Sequence, residues 1–215
     1  MAFRERNWCR RLKVNRNKKL PKVHPRFSQS QFWADQIDCI DRDLPRMPHM
    51  HRENVCRIVR RHAASTPWHP YTQGHLYLIY VAALVMRHEG TLFWTYNRLC
   101  HRVFKFGPDT SYSTKVIPSC VYESVQHQID VCPVLFEVVI RMRWLFIMFG
   151  QTFTTPESVC VAWDFLLIDQ KNMFKLAIAL LQRSWSDTEI LDVGCGLERL
   201  QNMVAISVPC AIEAA

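Results

Sequence analysis

Two polar side chains in this 215-residue chain stand where phosphate chemistry could use them. Arg46 closes the segment Ile40-Asp41-Arg42-Asp43-Leu44-Pro45-Arg46, and Gln73 lies 27 positions later in Tyr71-Thr72-Gln73-Gly74. A guanidinium stays ionised and presents a planar fork of donors, so it suits negative charge spread over phosphate oxygens. A primary amide carries donors and an acceptor together and can orient a water or a phosphate group. Alone, an arginine is most often a surface charge in an ion pair. The two gain meaning from the amphipathic helical segment between them, which can return the glutamine beside the arginine.

Other residues offer different chemistry. His49, His51, Cys56, His62 and His69 are the densest set of metal-ligating types. Their spacing fits no standard zinc pattern, and His62 falls on the apolar face of a helix, so no metal site is expected. The run Ile190-Leu191-Asp192-Val193-Gly194-Cys195-Gly196 resembles the first motif of S-adenosylmethionine-dependent methyltransferases. That motif requires a strand, a glycine turn and a helix, with most of a doubly wound sheet still to come. Only 19 residues follow Gly196, and Leu197-Glu198 stands where a third glycine belongs. A helix end capped by glycine is the simpler account.

The elements that must position Arg46 and Gln73 are helices. Ser28 or Ser30 can cap a helix starting near Gln31, with Phe32, Trp33, Ile37 and Ile40 on one face. Pro45 should stop it, which leaves Arg46 in a loop past the helix end, and Pro48 keeps the chain extended. Val55, Ile58, Val59, His62 and Ala63 mark a second helix over 53–64. The turn Thr66-Pro67-Trp68-His69-Pro70 delivers Tyr71-Thr72-Gln73-Gly74 to the head of a third, 75–88, apolar on almost every side and broken by Glu89-Gly90. A fourth follows, with Phe93, Trp94, Leu99, Val103 and Phe104 inward, and 105–114 is loop. Helices at 116–130 and 133–149 come next, the latter capped by Gly150. Pro156 opens a helix bearing Val159, Trp163, Leu166 and Leu167, and 170–181 continues with Met173, Phe174, Leu176, Ala177 and Leu180. Residues 183–215 read as a terminal helix or two with a frayed end. Two-residue alternation is nowhere sustained and no Asn-Gly or Asp-Gly turn occurs, so the expected class is all-α, several helices in a single domain.

Composition sets the boundaries of that domain. Hydrophobic residues make up 49% and charged residues 21%, which is globular composition and excludes a disordered chain. The net charge of +8 is concentrated: residues 1–26 hold ten Lys and Arg against Glu5 alone, which leaves 27–215 at −1. The expectation is a basic arm, 1–26, with Pro21 and Pro25 in its linker, followed by a helical domain, 27–215. Such an arm fits nucleic acid or an acidic membrane surface, serves as a nuclear signal, or stays solvated. Nine cysteines with no Cys-x-x-Cys pair are expected to be reduced and mostly buried, as in a cytosolic or nuclear protein. No apolar run reaches the ~18 residues of a spanning helix, and the arm lacks the apolar core of a secretory signal. The expected protein is cytoplasmic, with peripheral membrane contact open to it through the arm.

Taken together these residues resemble the TBC domain of Rab GTPase-activating proteins. Ile40, Asp43 and Arg46 match the family's Ile-x-x-Asp-x-x-Arg, and Tyr71, Gln73 and Gly74 match Tyr-x-Gln-Gly. Trp144 to Phe149, then Pro156, then Trp163-Asp164 match a later Trp-x-x-x-x-Phe, proline-led helix and Trp-Asp. The resemblance covers about 31–182. It implies a GTPase-activating protein that binds a Rab-type small GTPase in its GTP state and supplies Arg46 and Gln73 as catalytic groups in trans. Asp43 would brace Arg46, Tyr71 and Gly74 would set the loop of Gln73, and Ile40, Trp163 and Asp164 would support them. GTP and Mg²⁺ would belong to the partner, with no cofactor of this chain's own. Phosphoryl transfer asks a protein mainly for positioning and charge stabilisation, and an inserted arginine is worth on the order of 10³ to 10⁵ in rate. The chain departs from the pattern at Pro45, at Met47-Pro48 where Thr-Phe-Pro is usual, at Pro70 and at His75. These departures frame the alternative, a non-catalytic TBC-like module that binds a GTPase or another trafficking factor.

Overall fold

The computed structural model describes residues 2–23, 30–66, 71–103, 148–150, 153, 155–169 and 172–185. Every regular element among them is helical. The chain divides into two compact units, Met1–Thr110 and Ser111–Ala215.

In the first unit, α1 spans Ala2–Leu12, α2 Gln31–Asp43, α3 Arg52–Ser65, α4 His75–Val85 and α5 Glu89–Val103. The start of α2 follows from Ser30, whose hydroxyl accepts the Trp33 N–H at 3.2 Å and so satisfies a donor the helix cannot. Ile40 is fully buried, whereas Trp33 and Ile37 are half-buried and Phe32 is exposed. On α3 the buried set is Val55, Ile58, Val59, His62, Ala63 and Ala64, a stripe of helical period. Helix α4 is apolar almost all round and packs against α1, α3 and α5, which makes it the centre of the unit. It ends at Val85, before Glu89-Gly90. Those two residues do not break a helix but open α5, where Glu89 lies in the first turn and favours the positive helix end.

The basic N-terminal segment is part of this unit. Glu5, Trp8, Cys9 and Leu12, at helical spacing, form the buried face of α1, and α1 packs on α4 and α5. Burial raises the Cys9 thiol to a pKa of about 11, and its Sγ lies 3.9 Å from the Met86 sulfur. Past α1 the backbone is held by side chains of other helices. The Thr91 hydroxyl donates to the Arg16 carbonyl at 2.9 Å, Trp94 Nε1 to the Lys19 carbonyl at 2.8 Å, and the Arg61 guanidinium to the Pro21 carbonyl at 2.9 and 3.2 Å. Lys18 Nζ stands 3.3 Å from the centroid of the Trp94 ring, a cation–π contact. Gly90 allows the close seam: a Cβ there would meet the Lys18 carbonyl oxygen at 2.4 Å. Residues 2–23, expected as a basic arm with its linker, form a helix followed by an irregular strap that includes a turn at Asn15–Lys18.

The end of α1 carries a built-in cost. Val14 N–H donates to the Cys9 carbonyl at 2.8 Å and Lys13 N–H to the Arg10 carbonyl at 3.2 Å, the paired bonds of a Schellman cap. The left-handed residue of that cap is Lys13, with φ 54°, where glycine is usual. A lysine side chain is strained there. Lys13→Gly should therefore stabilise the protein by about 0.5–1 kcal/mol, seen as a higher urea midpoint at unchanged slope.

In the second unit, α6 spans Pro156–Leu166 and α7 spans Asn172–Trp185, and they pack on each other. The Thr155 hydroxyl accepts the Ser158 N–H at 3.1 Å, and Pro156 occupies the first turn, where a missing N–H costs nothing. Val159, Trp163, Leu166 and Leu167 are buried, as are Met173, Leu176, Ala177 and Leu180 on α7. In the turn before α6 the left-handed residues are Met148 and Phe149, not the expected Gly150. Most of the helices expected at 116–149, together with Phe104 and Trp144, lie outside the described residues, as do His69, the glycine run 190–196 and the C-terminal stretch after 185.

Candidate functional site

Arg46 sits one helical turn past α2. Leu44 keeps α-helical geometry and its N–H still reaches the Ile40 carbonyl, so Pro45 does not stop the chain at the preceding residue. What Pro45 removes is its own N–H, and without that donor the α ladder cannot continue. The chain tightens into a single 3₁₀ turn, Leu44–Arg46, closed by Met47 N–H on the Leu44 carbonyl at 3.1 Å. Arg46 is the last residue of that turn rather than a loop residue.

Three neighbouring carbonyls in and after this turn are held from outside. Arg52 donates to the carbonyl of Met47 and, at 3.4 Å, to that of Pro45, and the Tyr77 hydroxyl donates to the carbonyl of Arg46 at 3.0 Å. Met47 itself is buried. The backbone is fixed on both sides of Arg46, while its side chain remains 63% exposed and pairs with Asp43 through Nη1 to Oδ1 at 3.2 Å.

Asp43 joins the two halves of the site. Its second oxygen, Oδ2, accepts the Tyr71 hydroxyl at 2.7 Å. Tyr71 is buried, and its N–H donates to the Gln36 side-chain oxygen. Burial, reinforced by the bond to the Asp43 carboxylate, pushes the Tyr71 hydroxyl far above the usual tyrosine range, so it remains a donor at any physiological pH. The carboxylate thus faces a guanidinium at one oxygen and a phenol at the other.

Two residues after Tyr71 comes Gln73, exposed in the turn that leads into α4. Gly74 provides the turn with φ 100° and ψ −21° as it caps the helix, a conformation that a side chain resists. His75 supports the turn from inside. Its N–H donates to the Thr72 carbonyl at 3.0 Å, and its Nδ1 lies 3.4 Å from the Thr72 N–H and 3.0 Å from the Tyr96 hydroxyl. With the backbone N–H as donor, Nδ1 acts as an acceptor. Tyr77 belongs to the same first turn of α4, so the segment carrying Gln73 is tied to the Arg46 turn at Tyr71 on one side and Tyr77 on the other.

Ile40, Asp43, Arg46, Tyr71, Gln73 and Gly74 are therefore brought into one region of the first unit. Trp163 and Asp164 belong to α6 of the second unit, where Trp163 is fully buried and its Nε1 donates to the Met148 carbonyl at 2.8 Å. Sequence reasoning missed Gln36, Arg52 and Tyr77, which hold the site through backbone atoms. The one readable signal was Tyr77, placed a helical turn after Gly74 with a polar tip on a largely apolar helix.

The described histidines of the sequence cluster lie in different settings. His49 and His51 are exposed, and His62 is buried with Nε2 3.2 Å from Asn97 Oδ1 and Nδ1 3.0 Å from the Thr66 hydroxyl. Among the described residues no three His, Cys, Asp or Glu side chains are grouped to hold a metal ion. Among them, too, no helix is long and apolar enough to cross a membrane.

The Asp43 junction can be tested as a unit. Tyr71→Phe removes a bond to a charged acceptor and should cost about 1.5–3 kcal/mol of stability. With Asp43→Ala it should form a double-mutant cycle whose coupling exceeds about 0.5 kcal/mol in urea titrations, whereas additive losses would mean that the bond carries no stability.

No protein-family model matches the chain, and no curated protein matches it in sequence. Its backbone is similar to a solved structure, the TBC domain of a Chlamydomonas flagellar RabGAP, with a TM-score of 0.65 at 15% identity over 97% of this chain and 70% of that one. The fold is TBC-like and all-α.

Proposed function

We propose that the protein is a GTPase-activating protein for a Rab-type small GTPase, which binds the GTP-loaded partner and presents Arg46 and Gln73 to its nucleotide. The observation that carries this reading is Asp43, whose two oxygens engage Arg46 and Tyr71 and so couple the arginine turn to the glutamine turn. The TBC-like fold supports a partner of the Rab class. GTP and Mg²⁺ come with the partner. Arg46 would offset charge developing on the phosphate oxygens, and the Gln73 amide would orient the attacking water. Both side chains are exposed on a fixed backbone, which is what insertion into another protein's active site requires.

Single-turnover GTP hydrolysis across a panel of Rab-type GTPases tests the proposal. Wild-type protein should accelerate at least one member. Met47-Pro48, in place of the usual Thr-Phe-Pro, favours a second reading, in which the same face binds a GTPase or a trafficking factor without catalysis. Binding to GTP-loaded partners with no acceleration across the panel would select that reading over the first.

A further inference from the structure

Helix α1 has a second face. With Glu5, Trp8, Cys9 and Leu12 committed to the core, the opposite side shows Phe3, Arg6 and Arg10, all exposed and spaced at i, i+3 and i+7, and exposed Lys13 follows in the cap of the helix. Such spacing lines up along one side of a helix over about 10 Å. Phe3, at one end, is 76% exposed, the largest value among the exposed large apolar side chains described. The strap after α1 adds exposed Arg16, Lys18, Lys19 and Lys22. The sole acid of residues 2–23, Glu5, is buried and faces Arg16 at 3.6 Å, and Glu89 at the head of neighbouring α5 is engaged by Arg57. The segment therefore presents cations with no carboxylate of its own at the surface, and one aromatic ring.

We propose that this face adsorbs to an anionic lipid surface. A row of Lys and Arg beside an exposed aromatic side chain is the composition of an interfacial helix. The apolar stripe of α1 is already used by the core, so the helix cannot sink into the bilayer. Contact rests on head-group electrostatics, with Phe3 as the inserting side chain. Single-stranded nucleic acid is the weaker fit, because the described face offers a single ring, at its end, and no series of aromatics on which successive bases could stack.

The test is co-sedimentation of the full chain with phosphatidylserine-containing vesicles and with phosphatidylcholine vesicles, at low and high salt. Wild type should bind the anionic vesicles alone and lose binding as salt rises. A cation near such a surface contributes about fivefold in partitioning, so Arg6→Ser/Arg10→Ser/Lys13→Gly should weaken binding about a hundredfold. These side chains point outward and glycine suits position 13, so the variant should keep its helical circular dichroism. Phe3→Ala should weaken binding severalfold at unchanged salt dependence. The charge-matched control Arg87→Ser/Arg98→Ser/Lys175→Ser removes three exposed cations elsewhere and should lose less than about tenfold. Equal loss in both triple variants would overturn the proposal, as would wild type that ignores phosphatidylserine or binds duplex DNA more tightly than the anionic vesicles.

Discussion

Arg46→Ala is expected to lower stimulated GTP hydrolysis by about 10³ to 10⁵, down to the partner's intrinsic rate, measured in single turnover with whichever Rab-type GTPase responds to wild type. The loss should be catalytic rather than structural. The Arg46–Asp43 pair is exposed at its guanidinium end, and pairs of this kind contribute about 0–1 kcal/mol, so the urea midpoint should scarcely move. Arg46→Lys keeps a charge but gives up the planar fork, and it should not restore the rate. Gln73→Ala, in an exposed turn, should also reduce hydrolysis at unchanged stability. Full activity in both alanine variants would rule out the proposed mechanism.

Trp8→Ala is expected to cost about 3–5 kcal/mol, the usual result of emptying a buried tryptophan site. Trp8 is wholly inaccessible in the face that α1 turns to α4 and α5. Set against the ~5–15 kcal/mol that holds a typical domain together, that loss would leave a substantial unfolded fraction. Arg6→Ala, on the outer face of the same helix, should stay within about 0.5 kcal/mol of wild type. Urea denaturation of the pair checks this, and a Trp8→Ala loss below about 1 kcal/mol would mean that α1 lies outside the cooperative unit. Deleting the segment would confound folding with surface contact, so point substitutions are the informative variants.

Local signals were legible where a residue acts on its own helix. Ser30, one of two serines offered as a cap, and Pro156 announced helix starts, and the period of Val55, Ile58, Val59, His62 and Ala63 gave both α3 and its buried face. The all-α class followed from such patterns. Less legible was anything that depends on a second element. Ten cations hid the buried spacing of Glu5, Trp8, Cys9 and Leu12, because charge density outweighs a four-residue stripe when the partner surface is unknown. Glu89-Gly90 looked like a breaker because glycine is poor in helices, yet Gly90 is needed for the passage of the Lys18 backbone. At the site, the spacing of Ile40, Asp43 and Arg46 was visible, but the hydrogen bond from Tyr71 to Asp43 spans 28 positions and has no sequence signature. Gln36, Arg52 and Tyr77 work through main-chain atoms, so their side-chain chemistry gave little warning of where they act.

The carbonyls of Pro45, Arg46 and Met47, each held by Arg52 or Tyr77, bear on the speed of encounter with a partner. Ordering a residue's backbone costs roughly 1–2 kcal/mol, and a flexible segment would incur that cost at the moment of association. Here the turn is ordered beforehand, and only the Arg46 side chain must settle. Association should then be limited by collision and orientation rather than by a folding step, and progress curves of complex formation should show one phase.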